Sequence, residues 1–360
     1  MPQLPGKPAA PSGWAKGQAP TQASDKMQRV SAAVVMQHFA RSEVRSIDKV
    51  SDAFYAAMVM KLRTMREFAR FKDGQLREVI KNITYKLQTA ELTINFKAAS
   101  YFSAPNDWRT YRQMYDMALQ DVKQADGGTK REMRLTGNAL NPATTRDAAD
   151  TKVTFGANIK TPQMQGAARF MQTGGLKDVS NGAAGGPVYT ANNAHFNPRA
   201  RQLFAGLNYG RRPHGSSTQY GLSHFVLQDG FKTNAIYYAG DTFYVTDANA
   251  RVTYGMLFAL VLHASDNLTK AILDSCYRQT SLKDTSNGDE LVEAHIFDEI
   301  QFAKDIKEMR VSNNDIINET GSLMLSGKVS MEDLPKLRED IKKNARDFAS
   351  RNNIKLVWMD

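Results

Sequence analysis

The pattern of apolar residues changes near residue 129, and this change limits the fold more than any other feature of the sequence. Across residues 47–68, apolar side chains recur at steps of three and four, which is typical of an amphipathic helix. After residue 129, helical periodicity fades, and residues 165–221 hold ten of the 24 glycines. Short β-rich runs follow at 223–227 and 235–238. We therefore expect an α+β protein with helices first and a sheet after them.

Three regions follow from this change of pattern. Residues 1–25 are expected to be a disordered tail, since five of the twelve prolines fall in the first twenty residues. Residues 26–150 are predicted to form a helical domain, with a helix to about residue 93 interrupted at Gly74 and a third helix over 106–122. Residues 151–360 are predicted to form the second domain. Its expected elements are the two short runs above, a helix over 256–277, a strand within 291–302, a helix after the Ser330–Asp333 capping pattern, and a strand over 354–359.

Several classes of function are excluded by what the sequence lacks. The single cysteine, Cys276, rules out an intramolecular disulfide and any site built from several cysteines. The six histidines include no pair spaced for a metal-binding helix, and neither a GxSxG nor a GxGxxG nor a Walker motif occurs. No run approaches the ~18 apolar residues of a membrane span, and the first residues do not resemble a secretory signal peptide. We expect no metal site and no membrane insertion.

Positive charge is concentrated in two parts of the chain. The net charge is +10, of which residues 1–100 contribute +8 and residues 151–210 contribute +5, whereas residues 261–310 carry −4. In the second region, arginines coincide with glycines that let backbone N–H groups approach a ligand, and this combination suits a pyrophosphate. Basic, glycine-rich loops also line protein surfaces and RNA sites, so the pattern alone leaves those alternatives open.

Three motifs between residues 201 and 296 resemble a known enzyme family. They are Arg201-x-x-Phe204-Ala-Gly-Leu-Asn208, the run from Gly215 through Tyr-Gly to Ser223, and Val-Glu293-Ala-His-Ile. Together they are similar to a bacterial and fungal domain family related to ADP-ribosyltransferases. More closely, they resemble the CteC-like bacterial effector mono-ADP-ribosyltransferases, which modify a threonine of ubiquitin. The resemblance covers residues 165–310, about 40% of the chain.

The resemblance implies an ADP-ribosyltransferase-like split β-sheet domain, NAD as substrate, and a role for each matching residue. Glu293 corresponds to the catalytic glutamate beside the nicotinamide ribose, and Phe204 to an aromatic residue against the nicotinamide ring. Ser223 corresponds to the small hydroxyl residue that supports the site. The remaining cofactor-binding candidates are Arg169, Thr173, Gly174, Arg201 and Asn208. His214 and His295 are assigned no role, because such histidines are more often surface or core residues.

The residue two positions before Glu293 indicates which kind of side chain receives the ADP-ribosyl group. Arginine-directed transferases carry a second glutamate there, whereas this chain has Leu291. On a strand, Glu290 would point to the face opposite Glu293. A hydroxyl acceptor is therefore expected, and the resemblance implies a threonine of host ubiquitin, an effector secreted into the host cytoplasm, and a block of host ubiquitination.

Two other functions remain open on sequence grounds. The isoelectric point near 9.5 allows a nucleic-acid-binding protein, although no RNP, helix-turn-helix or zinc-finger pattern occurs, and we consider a nucleic-acid partner unlikely on that ground. An NAD hydrolase without a protein acceptor would carry the same motifs.

Overall fold

The computed structural model describes residues 52–111, 119–123, 129–133, 139–140, 203–241, 252–278, 280–285, 288–296 and 299–360. The predicted tail at 1–25 lies outside these ranges. The α-helices of the described part are α1 (Asp52–Arg63), α2 (Asp73–Thr89), α3 (Ala98–Phe102), α4 (Leu260–His263), α5 (Asp266–Tyr277), α6 (Phe302–Asp305), α7 (Asn313–Leu325) and α8 (Leu334–Arg351). The strands are β1 (Glu91–Phe96), β2 (Leu119–Lys123), β3 (Thr129–Met133), β4 (Ala139–Leu140), β5 (Leu203–Asn208), β6 (Ser223–Leu227), β7 (Ala235–Ala239), β8 (Val252–Thr253), β9 (Val292–Ile296), β10 (Ile306–Ser312) and β11 (Lys355–Met359).

Eight of these strands form one mixed sheet in the order β11-β10-β6-β1-β5-β9-β7-β8. Neighbouring strands pair antiparallel, except that β10 and β11 run parallel. β1 lies near the centre, between β6 and β5. A separate three-stranded sheet has the order β2-β3-β4.

One face of the large sheet is apolar and packs against helices. Because side chains alternate between faces along a strand, Ile94, Phe225 and Met309 share this face. The ring of Phe348 on α8 lies 6.2 Å from that of Phe225 and 4.7 Å from that of Phe302. This contact joins the sheet to the C-terminal helix through the main hydrophobic core.

The other face carries polar side chains that are nevertheless buried. On this face, one row of residues in register crosses six strands. The row runs from Glu308 on β10 through Val226, Thr93 and Gly206 to Glu293 and Tyr238. Glu308, Thr93 and Glu293 are all buried. Polar groups that leave water need partners, so this face is where a functional site is to be sought.

The α+β class is confirmed, but the predicted helical region at 26–150 is wrong in two places. Residues 91–96 form β1, and residues 119–140 contribute β2, β3 and β4, where the third helix was expected to extend to residue 122. Gly74 lies inside the first turn of α2 and does not end the preceding helix. Because β1 pairs with β5 and β6, residues predicted to belong to the helical domain complete the sheet of the following one.

Most elements predicted after residue 200 are confirmed. β6, β7, β9 and β11 lie where strands were expected, and the helix expected over 256–277 is present but broken. Its first part is a 3₁₀-helix over Tyr254–Ala259 that leads into α4, and α5 starts afresh with Ser265 as its cap. The backbone N–H of Asp333 donates to Ser330 Oγ just before α8, as the capping pattern indicated.

Candidate functional site

Glu293 lies on β9, inside the sheet and on its polar face. Its partners in register are Gly206 on β5 and Tyr238 on β7. The residue is 3% exposed, and its Oε1 lies 3.6 Å from Nε2 of His295. β9 is buried throughout because it has a paired strand on each side. The carboxylate is therefore held on rigid backbone next to an imidazole.

His295 lies two residues further along β9 and so points to the same face as Glu293. Its ring is fully buried between two aromatic side chains. The Phe204 ring meets it edge-on at 5.0 Å, and the Tyr238 ring lies tilted at 4.8 Å. We call Glu293, His295, Phe204 and Tyr238 the Glu293 group.

This group combines one carboxylate with aromatic rings in a site from which water is largely excluded. A buried carboxylate interacts with a nearby positive charge more strongly than it would in water. An accessible aromatic ring beside it can contact a flat or cationic ring of a ligand, but Tyr238 is fully buried. Phe204 is only half-buried, so it is the member of the group most accessible to a ligand.

Gly206 separates the Glu293 group from the centre of the sheet. A Cβ atom at this position would lie 2.5 Å from Ser216 Oγ and 2.9 Å from Leu291 Cδ1. Ser216 is itself fixed by Thr93, whose Oγ1 donates to Ser216 Oγ at 2.9 Å and accepts from the Ser216 N–H at 3.1 Å. The absence of a side chain at Gly206 thus lets the loop after β5 pack directly onto the sheet.

Asn208 at the end of β5 shapes that loop. Its Oδ1 accepts from the backbone N–H of Arg212 at 2.8 Å, and its Nδ2 donates to the carbonyl of the same residue at 2.9 Å. Both polar atoms of the Asn208 side chain therefore have partners within the protein. Asn208 holds the turn that carries Arg211 and Arg212.

The structure does not bring Ser223 together with Glu293. Ser223 pairs with Phe96 in register and points to the apolar face of the sheet, opposite the Glu293 group. Its hydroxyl donates to Asp315 Oδ2 at 2.9 Å and accepts from the Ser312 N–H at 3.1 Å. Ser223 thus ties β6 to the start of α7.

Four other predicted residues cannot be compared with this arrangement. Arg169, Thr173, Gly174 and Arg201 lie outside the residues that the structure describes. Of the predicted set, the structure brings Glu293 and Phe204 into one group and places Asn208 at the neighbouring turn.

Three residues that the sequence analysis assigned no role belong to this region. His295 and Tyr238 complete the Glu293 group, and the period of two along β9 would have paired His295 with Glu293. Arg212, with its side chain 1% exposed, donates to Glu290 Oε2 at 2.6 Å and to the Lys283 carbonyl at 2.9 Å. No sequence pattern marks this contact, because its partners lie more than 70 residues away.

The described residues contain no set of three or more His, Cys, Asp or Glu side chains placed to hold a metal ion. Among the helices that the structure describes, none has both the length and the apolar character needed to cross a membrane.

A scan against profiles of known protein families finds no match to this chain, and a search of curated protein sequences also finds none.

Proposed function

We propose that the protein is an NAD-dependent mono-ADP-ribosyltransferase that modifies a hydroxyl side chain of a protein. The observation that supports this proposal is the Glu293 group: a buried carboxylate on an interior strand, with aromatic rings on the same face. These are the residue types that the reaction needs at its centre.

In this reaction, the bond between the nicotinamide nitrogen and ribose C1′ breaks, and its electron pair leaves with nicotinamide. The ribose then carries positive charge, shared between C1′ and the ring oxygen. Glu293 is assigned to stabilise that charge, as carboxylates do in other glycosyl transfers. The acceptor oxygen forms the new bond to C1′ and releases its proton to solvent water, so atoms and charge balance.

Phe204 is assigned to contact the nicotinamide ring, since it is the more accessible ring of the group. The imidazole of His295 lies 3.6 Å from the Glu293 carboxylate and packs beside it on the same face of β9. The cofactor-binding roles of Arg169 and Arg201 rest on the sequence resemblance alone.

The surroundings of Glu293 favour a hydroxyl acceptor over an arginine. Leu291 is 5% exposed and lies against Gly206, so an apolar side chain stands where a guanidinium would need a carboxylate. Glu290 ends a 3₁₀ turn and is paired with Arg212. The resemblance points to a threonine of ubiquitin as the acceptor and to a secreted effector that acts in the host cytoplasm.

The test is intact mass spectrometry of ubiquitin incubated with the protein, with and without NAD. We expect a mass increase of one ADP-ribosyl group that requires NAD and that survives neutral hydroxylamine. Fragmentation should place it on Ser or Thr. Release of nicotinamide without modified protein would instead indicate an NAD hydrolase. Neither product, together with salt-dependent binding of generic oligonucleotides, would favour the nucleic-acid-binding alternative.

A further inference from the structure

A basic cavity of about 460 Å³ lies where β1 begins and β5 ends, beside the end of α2. Glu293 is not among the residues that line it. The loop after β5 lies between the two places, since Ser216 covers Gly206 and Thr93 there. The cationic residues that line the cavity are Lys86, Arg211, Arg212, Lys307 and Arg310.

The two carboxylates in the lining already have partners. Glu91 accepts two hydrogen bonds from the Arg310 guanidinium, at 2.8 and 2.9 Å. Asp229 lies 2.8 Å from Lys232. Both acids of the cavity therefore have an ion-pair partner. The hydrogen bond from Lys232 lowers the pKa of Asp229, and the charges of Lys232 and Lys307 add to this effect.

Three cations of the cavity remain without an ion pair in the described part of the chain. Arg212 is paired with Glu290 and Arg310 with Glu91, whereas Lys86, Arg211 and Lys307 have no carboxylate within 4.0 Å among the described residues. Burial and the charge of Arg211 lower the pKa of Lys86, as expected for cations that repel each other. An anion between them would remove this repulsion.

The backbone at Arg211 adds an independent sign of a ligand site. Arg211 has φ of 50°, in the left-handed region that residues other than glycine, asparagine and aspartate rarely adopt. Its N–H donates to the Asn208 carbonyl at 3.1 Å, and the Asn208 side chain binds both backbone groups of Arg212. Such geometry persists where the surroundings enforce it, and it concentrates at ligand-binding sites.

We propose that this cavity binds the phosphate or pyrophosphate group of a small molecule. Three unpaired cations match a ligand with at least two negative charges, and arginine donates to phosphate oxygens in a fixed geometry. The volume lies within the range of small-molecule sites. Among the described residues that line the cavity, Tyr209 is the one aromatic residue, and it is buried beneath Arg212, so it offers no ring for a base to stack on. Recognition therefore rests on the phosphate groups. This site does not depend on the function proposed for Glu293.

The test is isothermal titration calorimetry of the full chain with pyrophosphate, inorganic phosphate, ADP and adenosine. We expect saturable binding of pyrophosphate and ADP, weaker binding of phosphate, and none of adenosine. Equal affinity for pyrophosphate and ADP would show that the cavity contacts the phosphate groups alone. A higher affinity for ADP would show that it also contacts the nucleoside.

The variants are Arg211→Asn, which removes the guanidinium but tolerates the left-handed backbone, and Lys307→Gln on the exposed side of β10. Each should weaken pyrophosphate binding by about tenfold or more. The matched control is Arg70→Asn, an exposed arginine remote from the cavity, which should bind as the unchanged protein does.

A second readout is the ¹³C chemical shift of the Lys86 side chain. The apparent pKa of Lys86 should rise when pyrophosphate is added, because a bound anion favours the charged amine. The proposal is overturned if pyrophosphate does not saturate, if Arg70→Asn weakens binding as much as Arg211→Asn, or if only oligonucleotides bind and lose affinity in Arg211→Asn.

Discussion

His214 Nε2 lies 3.1 Å from a carboxylate oxygen of Asp360, which joins the loop after β5 to the end of β11. The other ring nitrogen, Nδ1, lies 2.7 Å from Asp284 Oδ2. The same Asp360 carboxylate accepts from the backbone N–H of Asn313 at 2.9 Å, at the start of α7. One imidazole thus connects three segments that are far apart in the sequence.

This contact predicts a stability that depends on pH. Burial opposes the charge, but the hydrogen bonds to Asp284 and Asp360 outweigh it and raise the pKa of His214 above its ordinary 6.5. The stabilisation is fully present below pH 6.5 and is lost as the pH rises through the higher pKa of the folded state. The melting temperature of His214→Asn should therefore differ most from that of the unchanged protein at acid pH. A difference that grows toward alkaline pH would contradict this.

The carboxylate of Glu319 gives a pH dependence of the same sign, because its pKa is also raised in the folded state. Burial and the charge of Asp315 raise the pKa of Glu319 to about 8, although its Oε2 accepts from the Ala99 N–H at 2.8 Å. The unfolded chain ionises this group near 4.5, so the fold loses stability as the pH rises from about 4.5 to about 8.

Glu319→Gln should therefore melt at a higher temperature than the unchanged protein above pH 7, with a smaller gain at pH 5. The exposed Glu332→Gln serves as the control and should show no such trend. The comparison requires only thermal unfolding followed by circular dichroism at the two pH values. A loss of stability in Glu319→Gln at pH 8 would mean that the ionised carboxylate stabilises the start of α3.

Replacing the Glu293 carboxylate by an amide should slow transfer strongly while leaving the fold intact. Glu293→Gln keeps the shape of the side chain, and we expect the transfer rate to fall by about 10²- to 10³-fold. The control is Glu308→Gln, because Glu308 is a buried carboxylate on the same face, three strands from Gly206. Rates come from the ubiquitin mass assay at fixed NAD. Near-normal transfer by Glu293→Gln would show that the acid has been misassigned.

Ser223→Ala should affect stability and leave catalysis unchanged. The substitution removes a hydrogen bond to Asp315 and leaves the N–H of Ser312 without its acceptor. A buried polar group left unsatisfied costs about 1–3 kcal/mol, which denaturant titration can measure. If transfer falls while the free energy of unfolding stays the same, Ser223 supports the reaction as the sequence resemblance implied.

Gly206→Ala should destabilise the sheet where the loop packs onto it. The new methyl group would overlap Ser216 and Leu291, and overpacking of this kind costs about 1–3 kcal/mol. Gly230→Ala is the matched control, because a Cβ there meets nothing within 4 Å. Equal free energies of unfolding for the two variants would mean that the loop with Ser216 shifts to accommodate the methyl group at little cost.

The parts of the fold that the sequence predicts are those whose signal is local. β6 contains a short apolar run, β9 alternates apolar and polar residues, and the buried stripe of α2 repeats every three to four residues. β1 was missed because Glu91 follows α2 after one residue, with no glycine or proline to mark the change. Its extended backbone is set by pairing with β5 and β6, and this information lies elsewhere in the chain.

In the candidate site, too, the contacts that the sequence predicts are local, and those that it does not predict depend on distant residues. The period of two along β9 places His295 beside Glu293, so this contact was available from the sequence. The side of the sheet to which Ser223 points was not available, because it depends on the register between β6 and β1. The turn at Asn208 that places Arg211 depends on hydrogen bonds that no residue pattern predicts.

The central position of β1 also determines when the protein can fold. Thr93 meets Gly206 and Ser216, which follow it by 113 and 123 residues. Closing such a loop adds little to the equilibrium cost, since each doubling of length adds only about 0.6 kcal/mol, but it slows the search for the native pairing. At a rate of synthesis of about 5–20 residues per second, β5 and β6 are completed roughly 5–25 s after β1. During that time α2 has no sheet to cover its apolar stripe, so the nascent chain is exposed to aggregation until residues 203–227 have emerged.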